Sequence, residues 1–298
     1  MEPDTSPPAI QIRFALPEER LRPFITTFYR TDIITSGRGS KVSDWLHPEW
    51  PNLRFTPEGL AQAGIGKAPL ETCPAFTVNG PTSRATHFTM RTGRAWGIGL
   101  MPLGWASLFE AEAGDYADRF ADGLSDSAFD ALRPLSDALA ETTRSFDEEL
   151  AIIRAHISRL DFPTTRHSEA IIAINAALVD PEVATVVELA EQVGMTVRSV
   201  ERLSRRAFGF TPKLLLRRQR FLRSLAQFML DPSMKWLRTL DRQYYDQAHF
   251  VRDFKRFMGM SPRAYAKLDK PMLVAAARAR MAIAGEAVQG LHAPDTPA

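Results

Sequence analysis

The spacing of apolar positions changes near residue 125. Before it, short apolar runs such as "PAFTVNG", "THFTM" and "AWGIGLM" sit between Pro- and Gly-rich turn signals, the texture of short strands. A small β-rich domain is predicted over residues 1–124. Beyond it, Phe129, Leu132, Leu135 and Leu139, then Phe146, Leu150, Ile153 and Ile157, recur at helical spacing. Two amphipathic helices are therefore expected over 125–160, joined near Thr142–Ser145. "DFPTTRHS" reads as a linker, and from Ser168 onward the pattern is almost entirely helical. The expected fold class is α+β: a β-rich N-terminal domain, a helical connector, and an all-α domain over 166–268, with 271–298 as a tail.

An internal repeat with an offset of 50 residues organises the helical half. "MTVRSVERLSRRAFGFTP" (195–212) aligns without gaps to "YDQAHFVRDFKRFMGMSP" (245–262). Thr196 and Asp246 both suit a helix N-cap. Gly209 and Gly259 fall where a helix C-terminus favours left-handed backbone. Thr211-Pro212 and Ser261-Pro262 each pair a cap with proline at the first helical position. On a 100° wheel Phe250, Phe254 and Phe257 share a face that must be buried, while Ala248, Arg252 and Lys255 lie opposite, flanked by His249 and Arg256. In the first copy Val200, Leu203 and Ala207 face inward, and Arg198, Arg202 and Arg205 outward in the same phase.

A shorter amphipathic helix precedes each copy, "VVELAEQVG" and "WLRTLD". A supporting helix, a tight turn and a capped helix with a basic outward stripe make a helix-turn-helix, whose stripe lies in the DNA major groove. Between the copies, "PKLLLRRQRFLRSLAQFML" carries an apolar stripe of Leu214, Phe221, Leu225 and Phe228. It is expected as a long helix holding both modules at fixed separation, for successive grooves ~34 Å apart.

Charge supports this reading. The 298 residues carry a net +2, but residues 186–270 hold 18 Lys/Arg against 8 Asp/Glu, a net +10. The remainder hold 19 against 27, a net −8. A basic module beside an acidic one points to a polyanion partner, with nucleic acid leading. The single cysteine, Cys73, excludes an internal disulfide and a cysteine-rich zinc site, as suits a reducing cytoplasm. "MEPDTSPPAI" is the opposite of a signal peptide, and the longest apolar run, "MLVAAARARMAIAG", is broken by Arg278 and Arg280. A cytoplasmic protein without a membrane partner is expected.

These residues closely resemble the AraC/XylS family of bacterial transcription regulators. The similarity covers roughly Ser168 to Lys267 and rests on "ELAEQVGMTVRSVERLSRRAFGFTPK", "RRQRFLRSL" and "YYDQAHFVRDFKRFMGMSPRAY" in the family's order. It implies a two-module all-α DNA-binding domain, usually in a transcriptional activator, with double-stranded DNA as partner and RNA polymerase as a further candidate. The first reading helix would contact DNA through Arg198, Ser199, Glu201, Arg202 and Arg205. The second would do so through Gln247, Ala248, His249, Arg252, Lys255 and Arg256. Two departures stand out: Ser204 replaces a usual aromatic, and Gln243 a usual glycine in the turn before the second reading helix. The β-rich half takes the place of a ligand-sensing domain, with a small-molecule effector the residues do not name, and the 125–160 helices are open as a homodimer contact.

Rival chemistries fit these residues less well than blander roles. Asp246, His249 and Asp253 share a helix flank at metal-ligand spacing, but Asp246 is accounted for as a cap and Asp253 as a local ion-pair partner. His47, Glu49 and His87 lack the spacing of a β-barrel metal site. Gly97 and Gly99 lack a phosphate-binding context, and Cys73 lacks neighbours that would activate it. Trp45, Trp50, Phe55, Trp96 and Trp105 read as core sooner than as pocket walls. Arg217, Arg218, Arg220 and Arg223 on the connecting helix are open between phosphate contacts and solvated charge. The expectation is a DNA-binding regulator with no catalytic residue, cofactor or metal. The alternatives are an enzyme with its active site in residues 1–124, tethered to DNA, and a protein-interaction module.

Overall fold

In the computed structural model, residues 8–37, 39–140, 143–230, 244 and 246–294 are described. Among them the N-terminal half forms ten strands: β1 (Ala9–Ala15), β2 (Ile25–Ile34), β3 (Lys41–Leu46), β4 (Asn52–Phe55), β5 (Ala61–Ile65), β6 (Glu71–Thr72), β7 (Phe76–Asn79), β8 (Thr86–Arg91), β9 (Gly93–Leu100) and β10 (Phe120–Asp122). Every pairing is antiparallel. One sheet has the order β1-β2-β9-β4-β7-β10, and a second has the order β3-β8-β5-β6. The runs read from sequence as strands are β7, β8 and β9. Gly97 on β9 is required by packing, since the ring of its register partner Tyr29 would lie 2.0 Å from an added Cβ.

Helices follow: α1 (Pro102–Leu108), α2 (Arg133–Leu139), α3 (Phe146–Ile157), α4 (Ser168–Val179), α5 (Val186–Gln192), α6 (Val197–Phe208), α7 (Pro212–Leu230), α8 (Gln247–Met258), α9 (Pro262–Ala266) and α10 (Pro271–Ala284). The expected pair over 125–160 is α2, entered through a 3-10 turn at Ser127–Leu132, and α3, which Ser145 starts through a capping box with Glu148. Their apolar side turns onto the chain's own β-domain. Glu149, wholly buried on α3, accepts from Arg30 Nη1 at 3.0 Å, Arg94 Nη1 at 2.9 Å and Trp96 Nε1 at 2.6 Å. Phe146 stacks on Trp96 with ring centroids 5.1 Å apart.

Two features differ from the sequence reading. Of the expected tail 271–298, the described residues 271–294 pack on the β-domain: α10 lies along β1 and β3, and Arg280, Gln289 and Leu291 are buried. Its start is pinned by Asp44, whose Oδ2 accepts the backbone N–H of Met272 and of Leu273, both at 2.9 Å. Alanine-rich helices with scattered arginines read as solvated, and the arginine that goes inside is visible only once the partner surface exists.

Neither do the domains keep separate cores. One cluster runs from Phe28 of β2 and Trp50, just before β4, through Ile174 of α4 to Leu203 of α6, and a second joins Ala85 to Phe221, Phe254 and Tyr265. Phe208 meets Trp50 edge-on at 5.7 Å, Phe257 O accepts from Ala85 N at 2.7 Å, and His47 Nε2 lies 2.8 Å from Tyr265 Oη. Continuous apolar packing of this kind docks both helical modules on the β-domain.

Candidate nucleic-acid interface

The first reading helix, α6, is built as its repeat predicts. Thr196 Oγ1 accepts from Ser199 N at 3.2 Å, and Gly209 closes the helix with φ 82°. The supporting helix α5 has its own capping box, Thr185 with Glu188, and Gly194 at φ 64° makes the tight turn between the two. Val200, Leu203, Ala207 and Phe208 are buried, so Arg198, Glu201, Arg202 and Arg205 are exposed, with Ser199 half-buried beside them. Ser204 takes the place of a core aromatic: it is wholly buried, and its hydroxyl has no hydrogen-bond partner among the described residues.

The second reading helix, α8, reproduces this 50 residues later. Asp246 Oδ1 accepts from His249 N at 2.6 Å, Gly259 sits at φ 74°, and Ser261 caps α9 before Pro262. Gln247, Ala248, Arg252, Lys255 and Arg256 are exposed, and His249 is half-buried. Phe250, Phe254 and Phe257 cluster with Phe221 of α7. Gln243 and "WLRTLD", the supporting segment of this module, lie outside the described residues.

Asp253 corrects the sequence reading. Its intrahelical pair with His249 is present, Nε2 to Oδ2 at 3.9 Å, but Asp253 is chiefly a wholly buried anion between α8 and α7. Arg217 pairs with it, Arg220 Nη2 lies at 3.3 Å, and Tyr244 Oη donates at 3.1 Å. Arg217 and Arg220 are thus bound into the domain. Arg220 Nη2 also sits 3.2 Å from His249 Nε2. Burial first, then the neighbouring Arg220 cation, lower the His249 pKa. A neutral imidazole accepting through Nε2 follows. Arg218 points the other way: wholly buried, it stacks 3.9 Å over Trp50 and donates to Thr82 O at 2.9 Å. The expected single apolar stripe on α7 is accordingly too narrow, because the β-domain covers its polar flank, and Gln219 and Ser224 are buried as well.

Two capped helices with exposed basic faces thus flank one connecting helix, the arrangement expected of a double helix-turn-helix. Residues 189–268 match the family model of a helix-turn-helix domain. The matched region is a helix-turn-helix domain. Helix-turn-helix domains are DNA-binding modules. Among solved structures the chain is similar to ToxT from Vibrio cholerae, at 10% identity over 87% of this chain and 97% of that one, with a TM-score of 0.43. It is also similar to ToxT from Vibrio cholerae O395 bound to (E)-4-(8-methylnaphthalen-1-yl)but-3-enoic acid, at 11% identity over 86% and 97%, with a TM-score of 0.42. No curated protein matches.

Beside the helix-turn-helix domain, the β-domain holds a cavity of about 180 Å³, closed by α10 and the segment after it. Its polar wall contains Arg54, which donates to Glu49 Oε1 at 2.5 Å and to Tyr29 Oη at 3.1 Å. It also contains Asn52, bonded to Gln289 Oε1 at 2.9 Å. His47 lies on the rim, and burial, then the nearby Lys270 cation, push its pKa down to about 3, so it is neutral. The sequence reading missed Arg280 and Gln289. The signal available was a charged residue recurring inside an apolar run, noted only for interrupting a membrane span.

The other candidates fall into place. Glu49 and His47 are engaged as above, and His87 stacks on Trp45 at 4.4 Å. No cluster of three metal-ligating side chains occurs among the described residues. Trp50, Phe55, Trp96 and Trp105 are core, although Trp96 also borders the cavity, as does Cys73. Burial raises the thiol pKa of Cys73, the opposite of an activated cysteine. No described helix is long and apolar enough to cross a membrane.

Proposed function

We propose that the protein is a sequence-specific, double-stranded DNA-binding regulator of transcription initiation, controlled by a small molecule held in the β-domain. The observation that carries this is the pair of exposed basic faces on α6 and α8, repeated at 50 residues with matching caps. Exposed Lys and Arg displace phosphate counterions for affinity. Arg198, Arg202 and Arg252 suit guanine edges and Gln247 adenine. His249, turned toward Arg220, has a smaller share in base reading than its neighbours Ala248 and Arg252.

The sensing role is supported by the cavity and by its closure with residues that follow the second module in sequence. A ligand acts here by differing in affinity between two arrangements of that closure. The action is binding, not catalysis, in the cytoplasm, as an activator with RNA polymerase as partner. Homodimerisation would double the number of reading helices on an operator. Selection of the full chain on a random-duplex pool, followed by sequencing, tests the reading. Enrichment of a two-part motif with parts about one helical turn apart is expected. Recovery of no preferred sequence would defeat it.

A further inference from the structure

The sheet β3-β8-β5-β6 has two faces, and one of them lines the cavity of the β-domain. Side chains alternate along a strand, so Phe88 and Met90 of β8, with Ala61 and Ala63 of β5, belong to the cavity wall. The opposite face carries Lys41 and Ser43 of β3, Thr89 and Arg91 of β8, Gln62 of β5 and Thr72 of β6. The register sets Ser43, Thr89, Gln62 and Thr72 in one row across the four strands, and Lys41 opposite Arg91 in the next.

That last pairing is costly by itself, because like charges directly opposite on neighbouring strands destabilise a sheet. Neither Lys41 nor Arg91 has an ion pair among the described residues. With Gln62, Thr72 and Thr89 they line a recess of about 150 Å³, which Gly59 and Leu60 complete and to which no described carboxylate contributes. Thr89 is 4% exposed, yet its hydroxyl has no hydrogen-bond partner among the described residues. A buried hydroxyl left unpaired, beside two unanswered cations, marks a place where an acceptor belongs.

The donors define that acceptor. A guanidinium offers two parallel N–H bonds and an ammonium a point charge, with the hydroxyls and the Gln62 amide as further donors. One carboxylate has two oxygens and a single charge, so it would leave a cation unanswered. A phosphate group carries about −1.5 to −2 charges at pH ~7 and three acceptor oxygens, which matches both the charge and the number of donors. A single water needs ~10–15 Å³ of such space. About 150 Å³ therefore holds a phosphate group with room for an organic substituent against Leu60.

We propose that this recess binds a phosphate group, as the free ion or as a small monoester, with the dianion held between Lys41 and Arg91. The site is separate from the cavity and does not depend on what the cavity holds. The two share a strand, since Thr89 stands between Phe88 and Met90 of the cavity wall.

The test is calorimetric titration of the full chain at pH ~7.5 with inorganic phosphate and with phenyl phosphate. At this pH the monoester is a dianion, its second pKa being ~6. Saturable binding at one site per chain is expected. Tighter binding of phenyl phosphate identifies the occupant as an ester, and equal affinity identifies it as the free ion. Lys41 and Arg91 are exposed, so Lys41→Ala and Arg91→Ala keep the fold, and each lowers affinity ~10- to 100-fold. Thr89→Val, which removes only the hydroxyl, lowers it by a smaller step of ~3- to 10-fold. Lys67→Ala, exposed and outside the recess, leaves it unchanged, which separates a built site from general attraction to a cation. No saturable binding of either compound, or binding that Lys41→Ala and Arg91→Ala leave intact, overturns the proposal. So does a loss of duplex affinity in these two variants when the parent chain binds no phosphate, because the pair then belongs to the DNA backbone.

Discussion

Asp253 of α8 and Arg220 of α7 meet at 3.3 Å with the carboxylate wholly buried, and Arg217 closes on the same group. Tyr244 adds a third donor at 3.1 Å. The anion thereby fixes the roll of the second reading helix against its support, which decides where Arg252 points. Removing one member of a buried pair strands the others, at ~3–5 kcal/mol. Asp253→Ala is expected to lower stability in urea unfolding by that order and to weaken DNA binding. Unchanged unfolding would mean the pair is solvated and idle.

Arg202→Ala and Arg252→Ala should behave in the opposite way. Both side chains are exposed, so thermal stability stays within ~0.5 kcal/mol. Affinity for the selected duplex falls by ~1–3 kcal/mol, and discrimination relaxes at the contacted base pair. The check is a binding titration against the selected site and its single-base variants. A loss equal on all sequences would reassign these arginines to phosphates.

The proposed phosphate contacts from Arg205, Lys255, Arg256 and their neighbours would impose a salt dependence. Between ~50 and ~200 mM salt the affinity should fall by ~10³-fold. Fluorescence anisotropy on a labelled duplex measures the slope, and a flat response would exclude a phosphate-dominated interface.

The reading helices were legible in the sequence because each is specified locally. Thr196 and Asp246, Gly209 and Gly259, and the prolines that follow act within one turn of backbone, and the apolar phase fixes the outward face. Strands β7, β8 and β9 were legible for a similar reason. What escaped was set by surfaces meeting from opposite ends of the chain. Arg218 rests on Trp50, Arg280 enters the β-domain, and Asp253 draws two arginines inward, none of which has a local signature. One practical consequence is that residues 160–298 alone would bare the buried flank of α7 and the inner face of α10. A DNA-binding assay on that fragment therefore tests folding before it tests sensing.

Ser204 is the weak point of the first module. Its hydroxyl is buried without a partner, so the side chain bears a desolvation cost that a methyl group would not. Ser204→Ala should raise stability by ~1 kcal/mol and leave DNA affinity as it was. A decrease in the urea midpoint would show that a water or an undetected acceptor satisfies the hydroxyl.

His47 makes the docked arrangement sensitive to acid. In the fold it is neutral, with its pKa pushed down to about 3 by burial and then by Lys270, and its Nε2 lies 2.8 Å from Tyr265 Oη on α9. In the unfolded chain it protonates near the ordinary value of ~6.5. The unfolded state therefore binds the extra proton between these values. Stability is complete above pH ~6.5 and is lost as pH falls from there toward about 3, by up to ~1.4 kcal/mol per unit for this one group. His87 and His249 are shifted in the same direction and add to the trend. Urea unfolding at pH ~7.5 and ~5.5 should show a drop of ~1 kcal/mol or more at the lower value. His47→Gln removes the titrating group, so the drop should shrink in that variant. If it stays the same size, the acid sensitivity belongs to the other histidines and the His47–Tyr265 contact does not govern docking of the second module.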